Sequence, residues 1–72
     1  MSLAQDRYME IVVGKIREDR YPSGQLMDRV ERSLASREHL EAYLDALFEK
    51  VEDDHYPSLQ MLDRIARLAP LI

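Results

Sequence analysis

The sequence predicts an all-α protein: a small four-helix domain made of two tandem helical hairpins. Three observations carry that prediction. Apolar residues recur at helical spacing in four segments, and two Tyr-Pro-Ser stretches interrupt them. The stretch "RYPSGQLMDR" at 20–29 also returns, little changed, as "HYPSLQMLDR" at 55–64.

An offset of 35 residues pairs Tyr8 with Tyr43, Lys15 with Lys50 and Tyr21 with Tyr56. It pairs Pro22, Ser23 and Gln25 with Pro57, Ser58 and Gln60, and Asp28, Arg29 and Arg32 with Asp63, Arg64 and Arg67. With Asp19/Asp54 there are ten identities in the 25 positions from 8 to 32, and Glu10/Asp45, Ile16/Val51 and Val30/Ile65 are conservative pairs. A fixed period of this length marks a repeated supersecondary unit. The units are expected at 4–35 and 36–72, inside one domain over 1–72.

Each element has its own signal. Met9, Val12, Val13 and Ile16 give the first helix an apolar stripe. It stops at Tyr21, because a residue before proline is pushed out of the helical region, and Ser23 is placed to cap the next helix. That shorter helix carries Leu26, Met27, Val30 and Leu34. Ser36 is the expected cap of the third helix, with Leu40, Leu44, Leu47, Phe48 and Val51 on its stripe. Tyr56-Pro57-Ser58 repeats the break, and the last helix is expected to bury Leu62, Ile65, Ala66 and Ala69.

Charges fit this register. Asp28→Arg32 and Asp63→Arg67 are i,i+4 pairs in the favourable order, and Lys15–Asp19 and Lys50–Asp54 share the spacing in reverse. Across the hairpins Glu10 lies level with Arg32 and Asp45 with Arg67, each pair contributing at most about 1 kcal/mol if exposed. The two hairpins are expected to pack with pseudo-twofold or superhelical symmetry. The period is close to that of tetratricopeptide-type repeats, whose signature tryptophan and small-residue pattern are absent.

Composition narrows the function. Without cysteine there is no disulfide, zinc finger or thiol nucleophile. No apolar run approaches the ~20 residues of a membrane span, and the first six residues lack the basic and apolar regions of a signal peptide. A cytoplasmic protein with no membrane contact is expected. The net charge is −4, and residues 37–72 hold eight acidic against four basic side chains. That balance argues against a sequence-independent nucleic-acid binder; it suits a solvated surface first and a basic protein partner second.

Chemistry has few candidates. His39 and His55 alone titrate near neutrality in their ordinary state, and neither is duplicated, since Ala4 and Arg20 stand at the matching positions. "EDDH" at 52–55 and the spacings Asp6–Glu10 and Glu41–Asp45 could suggest a metal, but the two Glu-x-x-His motifs that a di-metal bundle uses are not both present. No enzyme activity, cofactor or metal is expected.

The stretch "IREDRYPSGQLMDRVERSLASREHLEAYLDAL" at 16–47 resembles the opening of GntR-type winged-helix repressors. The resemblance implies a helix-turn-helix regulator binding DNA, with Arg37 to Leu47 as recognition helix. It departs from that family in having Glu38, Glu41 and Asp45 where phosphates would lie and no β-hairpin wing afterwards.

The leading expectation is a non-enzymatic helical protein–protein interaction or assembly module, an adaptor or regulatory subunit that forms homo-oligomers. Contact is expected through Tyr21 and Tyr56 at the hairpin tips, through Leu59, which replaces Gly24 in the second turn, and through Leu68, Leu71 and Ile72 of the apolar tail.

Overall fold

A computed structural model describes residues 3–56 and 58–72. Among the described residues there are four α-helices and no strand: α1 (Leu3–Glu18), α2 (Gly24–Arg32), α3 (Arg37–Asp53) and α4 (Leu59–Leu68), followed by a 3-10 turn at Ala69–Leu71. Pro57, expected to break the second turn, lies outside the described residues.

The helix starts follow from serine. Ser23, Ser36 and Ser58 each accept a hydrogen bond on Oγ from a backbone N–H three residues on, at 3.0, 3.1 and 3.4 Å. Each thereby satisfies an amide that the first turn leaves without a partner. The acids at the ends of α1 and α3 have a local task as well. Asp19 and Asp54 accept from the backbone N–H of Tyr21 and Tyr56, both at 3.3 Å. Such Asx turns fix the chain reversal, so these carboxylates hold the turns rather than the N-terminus of the following helix.

α1 packs on α2, α3 packs on α4, and α1 packs on α3. The core cluster runs through all four helices, with Met9, Val12, Val13 and Ile16 from α1, Met27 and Val30 from α2, Tyr43, Ala46 and Leu47 from α3, and Met61 from α4. This core is thin. The chain exposes 5144 Å², where a folded protein of 8.5 kDa averages about 4,700 Å².

Matching helices run in the same direction. Near their starts, Asp6 of α1 meets His39 of α3 at 2.9 Å; near their ends, Arg17 pairs with Glu49, and Lys50 donates to the Arg17 carbonyl at 2.6 Å. α2 and α4 are likewise aligned. Gly24 lies beside Gln60 and Arg64, Asp28 reaches Arg64, and Glu31 reaches Arg67.

Two expectations are corrected here. Arg67 pairs with Glu31 of α2 rather than with Asp45, and no Glu10–Arg32 pair forms among the described residues. The last helix also turns a partly different face inward. Met61 and Arg64 are buried, and the expected Ile65 packs against the core together with Leu68, whereas Leu62 and Ala66 are exposed. The reason is Arg64, whose charge is met by acids from α2 and so can sit inside.

Candidate functional site

The best-defined polar constellation is the seam between α2, α3 and α4. Glu31 lies at its centre. Its carboxylate accepts from the Tyr43 hydroxyl at 2.6 Å and from Arg64 at 2.5 Å, and also pairs with Arg67. Asp28 adds a second carboxylate to Arg64 at 2.9 Å. Burial pushes the Tyr43 phenol well above the usual tyrosine range, helped by its hydrogen bond to Glu31. For Arg64, burial acts against the charged form, but hydrogen bonds to Glu31 and Asp28 overrule it and raise the pKa.

Apart from Arg64 Nε, which is buried without a hydrogen-bond partner among the described residues, these groups satisfy one another. Such a network adds little net stability as a whole, but removing one member strands the rest, at about 2–4 kcal/mol for a nearly buried carboxylate such as Glu31. A cavity of about 250 Å³ lined by Asp28, Gln60, Asp63, Arg64 and Arg67 opens beside the network. The network joins α2, α3 and α4.

His39 is buried at the start of α3 and holds Asp6 through Nε2, while His55 is exposed in the second turn. Glu41 is paired with Arg37 at 3.1 Å, so the spaced carboxylates of α1 and α3 face different partners. Among the described residues no three His, Asp or Glu side chains come together as metal ligands.

The six residues expected to make contacts fall into two groups. Tyr21 and Tyr56 border one small crevice of about 80 Å³ between the turns, and Arg20 stacks over the Tyr21 ring at 5.5 Å. Leu59, at the start of α4, is exposed at the same end. Leu68, Leu71 and Ile72 belong to the far end, about 18 Å away at the rise of a helix. Of these, Leu68 packs against the core, and Leu71 and Ile72 stay exposed.

Sequence reasoning missed the exposed Tyr8, Ile11, Phe48 and Leu62, which lie on α1, α3 and α4. Tyr8 had a signal: it matches Tyr43, whose phenol has an acceptor, but its own surroundings supply none. The exposed side of α3 carries Glu38, Glu41, Asp45, Glu49 and Glu52, an acidic surface that repels phosphate. No family model, curated protein or solved structure matches the chain.

Proposed function

We propose that the chain is a non-enzymatic protein–protein interaction or assembly module. In this reading it is one domain of two tandem helical hairpins, duplicated at a period of 35 residues, that associates with copies of itself. One observation carries the reading: large apolar side chains stay exposed on both outer faces, Tyr8 and Ile11 on one and Phe48, Leu59 and Leu62 on the other. Apolar surface spread over facing helices is how helical modules recognise one another. The buried polar groups, by contrast, are engaged within the chain, Arg64 in joining α2 and α4 and His39 in joining α1 and α3.

Light scattering across a hundredfold dilution tests this reading. The expected result is a native mass above 8.5 kDa that falls toward that value as the protein is diluted. A mass fixed at the monomer value up to millimolar concentration contradicts self-association.

A further inference from the structure

We infer that a second copy of this chain docks head to tail, because each outer face repeats one side of the seam inside the molecule. The inference rests on the self-association proposed above and specifies its geometry.

The internal seam has two unlike sides. Val13, Gly24, Asp28 and Glu31 from α1 and α2 form one; Tyr43, Ala46, Lys50, Arg64 and Arg67 from α3 and α4 form the other. Advancing the first side by 35 residues gives Phe48, Leu59, Asp63 and Ala66, all exposed. Moving the second side back by 35 gives Tyr8, Ile11, Lys15, Arg29 and Arg32, again all exposed. Val13 is 6% exposed and its match Phe48 39%; Ala46 is 0% exposed and its match Ile11 51%. The surfaces that meet inside the molecule are therefore present, uncovered, at its two ends.

Charge selects head-to-tail docking over face-to-face pairing. The Phe48 face carries Asp63 with Glu41 and Glu52 on the same helices, so two such faces would oppose like charges. The Ile11 face carries Arg7, Lys15, Arg29 and Arg32 against Glu18, which pairs with Lys15 at 3.9 Å, and so keeps an excess of positive charge. Docked head to tail, Asp63 meets Arg29 of a second copy as Asp28 meets Arg64 at 2.9 Å within the chain. The break in the repeated turn has a place in this arrangement. A Cβ on Gly24 would come within 3.3 Å of Gln60 Oε1, which would have to give way at the covered position, while Leu59 at the open one adds apolar contact. Ala66 replaces Glu31 and removes one acceptor, which makes the contact between copies weaker than the internal seam. A heterologous contact of this kind leaves a free face at each end and continues into a stack.

The test is a capping experiment by light scattering, using Phe48→Asp and Ile11→Asp. Both sites are surface positions, and circular dichroism checks that helicity is kept. Wild type is expected to grow beyond a dimer as concentration rises. Each variant alone is expected to lose association at least tenfold, and a 1:1 mixture to form a particle of twice 8.5 kDa that grows no further, because only one intact pair of faces remains. A second arm does not depend on apolar sites: Arg29→Glu and Asp63→Arg each weaken association singly, and combining both in one chain restores it. If Ile11→Asp associates like wild type while Phe48→Asp does not, the contact is face to face and the inference fails. If both variants associate like wild type, another surface is used and the inference again fails, although self-association stands. A wild type that stays monomeric removes both.

Discussion

Met27 and Leu62 stand 35 residues apart at matching places in the two helix pairs, yet Met27 is 1% exposed and Leu62 is 39% exposed. Arg29 and Arg64 match in the same way; Arg29 is exposed, and Arg64 is buried against Asp28 and Glu31. Similar local sequence thus reaches different environments. What differs is the neighbour. The α1–α2 pair is covered on the side of Met27 and Glu31, and the α3–α4 pair is covered on the side of Tyr43 and Arg64. Helical periodicity sets which residues share a face, and stacking of the pairs decides which of two candidate faces leaves water.

The largest expected effect separates the two pairs directly. In dilute solution Met27→Ala should lower the free energy of unfolding by about 2–4 kcal/mol, through lost burial and a residual cavity. Leu62→Ala should cost about 1 kcal/mol or less, because much of that side chain is already in water. Urea denaturation of both variants checks this. Equal losses would mean that the two faces are covered alike.

A smaller effect concerns the matching tyrosines. Burial and Glu31 raise the pKa of Tyr43, so the folded chain holds that proton more tightly than the unfolded chain does. Its contribution is complete below the ordinary tyrosine pKa of about 10 and is lost as pH rises through the folded value. The stability advantage of wild type over Tyr43→Phe should therefore narrow by about 1 kcal/mol between pH 10 and 11. Tyr8→Phe serves as the control from the uncovered face, and a pH-independent advantage at position 43 would show that its phenol is not held in the seam.

Much of the architecture is legible in the sequence because its determinants are local. Ser23, Ser36 and Ser58 cap the helices they precede, and Met9, Val12, Val13 and Ile16 are the residues that α1 buries. The inward face of α4 is not legible in that way. Its apolar pattern favours Leu62, Ile65, Ala66 and Ala69; Ile65 does pack against the core, but the buried residues are Met61 and Arg64, and Leu62 and Ala66 are exposed. An arginine enters the interior only where distant carboxylates await it, and Asp28 and Glu31 lie 36 and 33 residues earlier in the chain. The pairing of Arg67 with Glu31 rather than Asp45 has the same origin, since hairpin register says nothing about which neighbouring helix stands closer. For the contact residues, the exposure of Tyr21, Tyr56 and Leu59 follows from their place at the turns. Phe48 and Ile11 look like core residues until the stacking direction is known.

The measurement that bears most directly on this stacking is a double-mutant cycle between Glu31 and Arg64, read by equilibrium unfolding of Glu31→Ala, Arg64→Ala and the double variant. Side-by-side packing of the two pairs predicts a coupling of about 1.5 kcal/mol or more, because each residue loses its buried partner when the other is removed. Strictly additive losses would contradict it.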